Sequence, residues 1–375
     1  MEVVQRDIKR QIIKFIIYST IVLGLTALAF YLTIGHNATK IWEALSKANI
    51  WYIIAILGVI AGCILCRSIA LFSLTRITNK DYFFHRAIVI DQVGSLFRMV
   101  TPAGLGSHIM EAHTYVRQGV RRSNALSVLA MYSIVYQVVL ILYGILTIIL
   151  KWDLINEIGY IVINGTAINL WILISIGFFY NVATIGFILL LSYWDTFFKF
   201  LKGPICHLLF KLHLIHDLEA AREHFEGSKD NFRHNLKTLF RNAPRLIICA
   251  IMFFIYITIS YSVPYIAGLS VNNTSIYANY WDSVLLSNFH QMVTATVPIP
   301  GSSGISEYFF YQLFYPLNGP KFYSTDEIAR ASLLLWRGLM FIVPLFTACL
   351  FAIIYRPIKR KGKLDENHED QDLEK

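Results

Sequence analysis

Residues 50–74 read IWYIIAILGVIAGCILCRSIALFSL, an apolar run in which Arg67 is the only charged residue. A helix of this length rises about 37 Å, whereas the hydrocarbon core of a bilayer is about 30 Å thick. A run with a single charge is too apolar for the surface of a soluble protein. The stretch therefore predicts a helix that crosses a membrane.

Further runs of similar length and character occur along the chain at 15–34, 125–150, 168–194, 246–269 and 331–355. The chain is 56% hydrophobic and 15% charged, against about 45–50% and about 25% in ordinary soluble domains. A single soluble core is therefore excluded. The sequence predicts an all-α polytopic membrane protein with about six spanning helices.

Lysine and arginine cluster beside the apolar runs, and their distribution predicts the orientation of the chain. A basic excess marks short cytoplasmic loops; here it occurs before residue 15, from Arg67 to Arg86, between 195 and 245, and after residue 355. We expect a protein of the cytoplasmic membrane with both termini in the cytosol. The net charge of +9 follows from these orientation signals, so direct nucleic-acid binding is not expected.

Two apolar segments, about 84–116 and 283–314, have loop charges that place both of their ends on one side of the membrane. The first is interrupted by Thr101-Pro102-Ala103-Gly104-Leu105-Gly106 and the second by Pro298-Ile299-Pro300-Gly301-Ser302-Ser303-Gly304. Proline lacks a backbone N–H and glycine is flexible, so both sequences break helices. We predict two re-entrant broken hairpins. The open alternative is that proline and glycine only kink two ordinary spans.

The two breaks share the spacing Pro-x-x-x-Gly, from Pro102 to Gly106 and from Pro300 to Gly304. Because the first hairpin is predicted to enter from the cytosol and the second from outside, the units around them form an inverted repeat, as in many secondary transporters. Non-helical backbone persists at bilayer depth only where it faces protein or a watery cavity. The two breaks are therefore expected to line one shared cavity, whose free N–H groups suit a phosphate or carboxylate.

Ionisable side chains at bilayer depth are costly and mark functional sites. The candidates are Asp91, Arg98, His108, Glu111, His113, His290, Glu307 and Arg337. Arg98 and Arg337 are predicted to bind lipid phosphate through the guanidinium fork. The carboxylates of Glu111 and Glu307 are either their partners or contacts for a cationic head group. Two alternatives stay open: Arg98 fixes the first hairpin by pairing with Asp91 or Glu111, and Arg337 snorkels outward. The histidine spacing matches no zinc motif, so no metal, other cofactor or catalytic residue is predicted.

The rest of the chain divides into two further regions. Residues 195–245 mix aromatic and aliphatic side chains with lysine, histidine and arginine at helical spacing, which predicts helices in the cytosolic interface. Residues 356–375 are polar and acidic without an apolar pattern, which predicts a disordered cytosolic tail. Residues 1–355 are therefore expected to form one transmembrane domain.

The two interrupted motifs, together with Ile305-Ser306-Glu307 and Leu335-Trp336-Arg337, resemble the membrane region of the lysylphosphatidylglycerol synthase family, also called the flippase-like family. The resemblance covers nearly the whole chain, to about Tyr355. The residues that match the family's motif positions are Pro102, Gly104, Gly106, Pro300, Gly301, Gly304, Glu307 and Arg337. This chain departs from the family pattern at Ser107-His108, directly after the first motif. The identity of the lipid head group therefore stays open.

The resemblance implies a function in lipid transport. In that family the membrane part moves aminoacylated phosphatidylglycerol between leaflets, which lowers the negative surface charge and gives resistance to cationic antimicrobial peptides. Full-length members add a cytosolic domain that takes lysine from lysyl-tRNA. The residues after Tyr355 are expected to be too few for such a domain, and the transferase residues have no counterpart here.

Three hypotheses follow. The leading one is a translocator for an anionic or aminoacylated phospholipid such as lysyl-phosphatidylglycerol. The second is a phosphatidylglycerol lysyltransferase that needs a partner catalytic domain. The third is a translocator or scaffold for a glycosyltransferase that uses lipid-linked glycans. The partners implied are a membrane phospholipid and either a cytosolic aminoacyl-transferase or a membrane glycosyltransferase, with a homo-oligomer left open.

Overall fold

The computed structural model describes residues 38–101, 104, 106–163, 165–193, 231–294, 297 and 299–354, together with residues 20, 24, 27 and 31. Five helices in these residues are long and apolar enough to cross a membrane: Ile50–Thr78, Arg122–Leu150, Leu170–Leu190, Ala243–Ser270 and Asp326–Phe351. They confirm the predicted all-α polytopic architecture. Most of the first predicted span, 15–34, and of the segment 195–245, and all of the tail 356–375, fall outside the described residues.

Helices and two short strands follow one another along the chain. The first half contains α1 (Ala38–Ser46), α2 (Ile50–Thr78), α3 (Phe84–Val100), α4 (Gly106–Arg117), α5 (Arg122–Leu150), α6 (Trp152–Ile158), β1 (Tyr160–Ile163), β2 (Thr166–Asn169) and α7 (Leu170–Tyr193). The second half contains α8 (231–241), α9 (Ala243–Tyr261), α10 (Val263–Ser270), α11 (Tyr280–Thr294), a 3-10 turn (Pro300–Ser302), α12 (Ile305–Phe314), α13 (Asp326–Arg337), a π-helical turn (Gly338–Ile342) and α14 (Val343–Ile354).

The helix α2 packs along α9 and α10 in the antiparallel direction. Near the end of α2, the Ser73 hydroxyl donates to the Arg245 carbonyl at 3.3 Å, and Arg245 Nη1 donates to the Ser73 carbonyl at 3.1 Å. Just before α2, the Asn49 N–H donates to the Ser270 carbonyl at 2.8 Å. The start of one element therefore lies at the end of the other.

The packing of the first half recurs in the second. In this comparison α3, α4 and α5 correspond to α11, α12 and the pair α13–α14. The helix α3 packs against α14, and its counterpart α11 packs against α5. Likewise α4 packs against α5, and its counterpart α12 packs against α13. The contact of α2 with α5 recurs as that of α10 with α13. The leading elements of the two units also run antiparallel, as the predicted inverted repeat requires.

The long helices present large apolar side chains on their outer surfaces, where no other described residue covers them. Examples are Leu142 and Ile149 on α5, Phe179 on α7 and Ile247 on α9. Such a surface is unfavourable in water but matches hydrocarbon. It is the surface expected of a multi-pass membrane protein.

The described end of the segment 195–245 is helical, as expected, and is packed against the bundle. Leu236 and Leu239 of α8 are buried in the same core as Val128 of α5 and Phe253 of α9. This part of the segment therefore docks on the spanning helices through its apolar side chains.

The two-stranded hairpin β1–β2 is a feature that the sequence analysis missed. The strands are antiparallel, with Tyr160 opposite Asn169 and Ile163 opposite Thr166. The sequence Asn164-Gly165 between them is the strongest short-range signal for a two-residue hairpin turn, and Gly165 has the positive φ of +80° that such a turn uses. The signal was present but was overlooked inside an apolar stretch.

Candidate functional site

The first broken hairpin consists of α3, the break at residues 101–105, and α4. The Thr101 hydroxyl accepts the N–H of Gly106 at 3.0 Å, so one otherwise unpaired donor at the start of α4 is satisfied. Gly104 has a φ of +66°, a conformation that favours glycine. The two helices approach closely where Gly94 faces Glu111. Pro102, a predicted site residue, lies outside the described residues.

Glu111 is the centre of a polar cluster inside this hairpin. Its residue exposure is 1%, and its carboxylate contacts His108 Nδ1 at 2.9 Å, Arg98 Nη2 at 3.4 Å and Ser107 Oγ at 3.4 Å. The Arg98 side chain stays 42% exposed. Of the alternatives open for Arg98, pairing with Glu111 is what the structure shows, and pairing with Asp91 is wrong.

Asp91 pairs instead with Arg67, which the sequence analysis did not propose as a site residue. Arg67 Nε and Nη2 donate to the two carboxylate oxygens at 2.7 and 3.1 Å, and the guanidinium also lies 5.2 Å from the ring centre of Tyr256. Arg67 was interpreted as a cytosolic orientation signal. Its position inside the apolar run 50–74 was the signal that it faces a partner within the membrane.

The second broken hairpin consists of α11, the break at residues 295–304, and α12. Pro300 begins the 3-10 turn, and Gly301, Ser302 and Gly304 all have positive φ, at +59°, +49° and +88°. The Glu307 carboxylate accepts the N–H of Gly304 at 2.6 Å, which caps α12. A carboxylate at this position also interacts favourably with the helix dipole.

Arg337, at the end of α13, contacts both the second break and Glu307. Its Nε lies 2.6 Å from Glu307 Oε1 as an ion pair without the alignment of a hydrogen bond. Its Nη2 donates to the Gly301 carbonyl at 2.6 Å and to Ser303 Oγ at 3.0 Å. The π-helical turn that follows places the Phe341 ring 4.4 Å from the guanidinium. Since Arg337 is buried, the snorkelling alternative is wrong.

A cavity of about 230 Å³ opens beside this ion pair. Its walls come from α9, α10, α11, the second break, α12, α13 and the π-helical turn. They include Tyr256, Ser260, Tyr261, Ser287, His290, Gln291, Thr294, Gly301, Ser302, Ser306, Phe310, Phe314, Trp336, Arg337 and Met340. The structure therefore places hydroxyl, amide and aromatic groups around Arg337.

The end of α3, just before the first break, contacts the second break, but the described residues do not form the expected shared cavity. A Cβ atom on Gly301 would lie 2.8 Å from the Phe341 ring and 3.4 Å from the carbonyl of Met99, near the end of α3. Phe341 and the Met99 backbone thus lie against Gly301 of the second break. The described lining of the cavity contains residues of the second break and none of the first.

Replacing Gly94 with alanine is expected to disrupt the first hairpin. The new Cβ would lie 1.8 Å from Glu111 Oε1, so the carboxylate must leave its contacts with Arg98 and His108. Loss of a buried charged network typically costs about 3 kcal/mol or more, measured as reduced thermal stability in detergent. Gly58→Ala on α2, where a Cβ meets nothing within 4 Å, is the matched control, and equal stability of both variants would contradict the expectation.

Comparison with known proteins agrees with this architecture. No curated protein matches the chain. The family model described as "Lysylphosphatidylglycerol synthase TM region" matches residues 11–348, which include both broken hairpins and every candidate site residue. The chain therefore belongs to the lysylphosphatidylglycerol synthase TM region family.

Proposed function

We propose that this protein is a translocator that moves phospholipids with an anionic or aminoacylated head group, such as lysyl-phosphatidylglycerol, between the leaflets of the cytoplasmic membrane. The observation that carries the proposal is the meeting of two broken hairpins from inverted units, at Met99 and Gly301, inside the bundle. Secondary transporters place their substrate sites at such midplane breaks.

The charges at the breaks support this function. Arg98 and Arg337 each stand beside a break, and each is paired with a buried carboxylate, Glu111 or Glu307. A guanidinium carries five N–H donors, so an arginine can bind a lipid phosphate while it still contacts its carboxylate. The partly exposed Arg98 side chain is the more accessible of the two.

Further proposals come from the loop charges and the family. Both termini face the cytosol, and an aminoacylated lipid that is moved to the outer leaflet lowers the negative charge of the outer surface, which contributes to resistance to cationic antimicrobial peptides. In this proposal the chain itself transfers no lysine. A transferase assay of the purified protein with charged lysyl-tRNA and phosphatidylglycerol tests that point, because lysyl-lipid formation would contradict it.

The test of translocation is leaflet-resolved labelling of fluorescent lipids in liposomes that contain the purified protein. Movement of phosphatidylglycerol or lysyl-phosphatidylglycerol faster than in protein-free liposomes supports the proposal. Equal, slow movement of every lipid in both preparations contradicts it.

Arg98→Ala is expected to reduce lipid movement strongly while the protein stays folded. Glu111 keeps its contacts with His108 and Ser107 when the 3.4 Å contact of Arg98 is lost, and the Arg98 side chain is 42% exposed, so the loss of stability is expected to be smaller than that of Gly94→Ala. Loss of a phosphate contact by a guanidinium is expected to slow movement by about tenfold or more. The measurement is the labelling assay together with thermal stability.

The control is Lys40→Ala. The exposed side chain of Lys40, on α1, forms a 3.4 Å ion pair with Glu327 of α13, which this variant removes. It is expected to leave movement and stability unchanged. If Arg98→Ala moves lipid at the wild-type rate, Arg98 is only a structural residue of the hairpin.

A further inference from the structure

The carboxylate of Glu111 has two partners that can carry a positive charge. His108 Nδ1, on α4, lies 2.9 Å from Oε2, and Arg98 Nη2, on α3, lies 3.4 Å from Oε1. Asp91 and Glu307, the other buried carboxylates in the described part of the chain, are each paired with an arginine and no histidine. Among the described residues, Glu111 is therefore the buried carboxylate whose ion pair also includes a histidine.

His108 can gain or lose a proton without breaking this cluster. The Glu111 carboxylate also accepts from Ser107 Oγ and Arg98 Nη2, so it acts as an ionised acceptor, and His108 Nδ1 carries the hydrogen between the two groups. His108 Nε2 lies 3.4 Å from the hydroxyl of Ser133 on α5. A hydroxyl both donates and accepts, so it suits Nε2 with or without a proton. Nε2 is therefore the atom at which the cluster exchanges a proton with water.

Proton uptake changes the net charge of the cluster from zero to +1. While His108 is neutral, the single positive charge of Arg98 balances the single negative charge of Glu111. When His108 is protonated, two cations share one carboxylate. An unbalanced charge at bilayer depth is unfavourable, so the protonated cluster needs a further anion.

The neighbouring helices do not supply this anion. The other charged and titratable groups that face the cluster, from α2, α3, α4 and α5, are Arg67, Asp91, Tyr115, Tyr132 and Tyr136. Asp91 is already bound by Arg67 at 2.7 and 3.1 Å, and the phenols of the tyrosines are neutral near pH 7. Among the described residues, no unpaired carboxylate near the cluster remains to balance a protonated His108.

A phosphate ester can reach both cations and supplies the missing charge. The side chains of Arg98 and His108 are 42% and 55% exposed, whereas Glu111 is buried behind them at 1%. A phosphodiester carries one negative charge, which equals the excess charge of the protonated cluster. Binding of the phosphate and binding of the proton are therefore expected to strengthen each other by the same factor.

We infer that the first broken hairpin binds a lipid phosphate together with one proton, which His108 takes up at Nε2, so that lipid binding and lipid movement strengthen as the pH falls. The inference rests on the proposed translocation function, to which it adds a coupled ion. Arg98 contacts the phosphate, His108 holds the proton, and Glu111 fixes both side chains. Because Ser107-His108 is where this chain departs from the family pattern, the proton link is inferred from this chain's own residues.

The first experiment measures movement of fluorescent phosphatidylglycerol in liposomes that have the same pH on both sides. Between about pH 7.5 and about pH 5.5 the wild type is expected to speed up about tenfold, the change in protonated fraction of an ordinary histidine. The phosphodiester itself stays ionised over this range. A rate that is the same at both pH values overturns the inference and leaves the translocation proposal standing.

Two variants of His108 separate its charge from its packing. His108→Gln keeps a donor for Glu111 but takes up no proton, so it is expected to move lipid at the slow, high-pH rate throughout. His108→Lys carries a cation throughout and is expected to keep the fast, low-pH rate. The control is His85→Gln, an exposed histidine at the start of α3, which is expected to retain the pH dependence. A pH dependence that persists in His108→Gln overturns the assignment of the proton to His108.

Binding is measured separately, as the rise in melting temperature of the detergent-solubilised protein on addition of short-chain phosphatidylglycerol. A larger rise at the lower pH, absent in His108→Gln, supports the inference even if no lipid moves, in which case only the translocation proposal fails. Equal rises at both pH values with no movement overturn both. Dimethyl phosphate, which has the phosphodiester without acyl chains, is the comparison ligand. An equal rise with dimethyl phosphate would assign the site to free phosphate esters and overturn its assignment to lipid.

Discussion

Arg337→Ala is expected to destabilise the protein by about 3–5 kcal/mol, in addition to stopping lipid movement. The substitution leaves the carboxylate of Glu307 buried with an exposed fraction of 3% and no cation. It also removes the donors to the Gly301 carbonyl and to Ser303, which hold the non-helical backbone of the second break. From the sequence alone we would expect this variant to lose transport but fold normally, and the burial of the pair changes that expectation.

A double variant separates the effect of the charge from the effect of the rest of the side chain. In Glu307→Gln/Arg337→Met no charge is left unpaired, and the glutamine side-chain oxygen can still accept the N–H of Gly304. The double variant is therefore expected to be more stable than Arg337→Ala while lipid movement stays lost, because the cation beside the cavity is absent. Thermal unfolding in detergent and the labelling assay are the two measurements.

Arg330→Ala is the matched control on the same helix. Arg330 pairs with Asp326 one turn earlier at 2.9 Å, with both side chains 27% exposed, and such a pair contributes about 1 kcal/mol or less. Arg337→Ala with the stability of the wild type would show that the buried pair is not needed for folding. A double variant no more stable than Arg337→Ala would show that packing, rather than the lone carboxylate, accounts for the loss.

The sequence was informative wherever a local pattern determines structure. Uninterrupted apolar runs identified the spans that the structure describes, because no other structure satisfies the backbone of such a run in lipid. The breaks at Thr101 and at Pro300 to Gly304 were predicted from proline and glycine, whose effects on the backbone are local. Loop charges predict the inversion, and the antiparallel packing of α2 on α9 and α10 agrees with it.

Pairing between distant residues could not be predicted in the same way. The sequence offered two carboxylates, Asp91 and Glu111, as partners for Arg98. Only the close approach of α4 to α3 at Gly94 decides for Glu111. The partner of Asp91 was missed because Arg67 lies 24 positions earlier on another helix. The contact of Phe341 with Gly301 depends on a π-helical turn, which no local sequence motif predicts.

Arg67→Met is expected to destabilise the protein by about 3–5 kcal/mol, because the carboxylate of Asp91 is 1% exposed and loses both charged hydrogen bonds. The contact with Gln92 Nε2 at 3.1 Å remains, but an amide does not neutralise a buried carboxylate. Methionine retains most of the apolar stem of arginine, so little packing is lost. Thermal unfolding in detergent measures the effect, and Arg76→Met, at the exposed end of the same helix, is the control with an expected loss of less than about 1 kcal/mol.

The pair itself is then tested with Arg67→Met/Asp91→Leu. Replacing a buried ion pair with apolar side chains of similar volume is often neutral or stabilising, so the double variant is expected to recover most of the lost stability. Recovery with wild-type lipid movement would make the Arg67–Asp91 pair a structural link between α2 and α3. Recovery of stability without lipid movement would show that lipid translocation uses the charges of this pair. Folding would then need only the packing of the two side chains, whereas transport would need their charges. A double variant as unstable as Arg67→Met would contradict the argument, because it would locate the loss in packing rather than in the unpaired carboxylate.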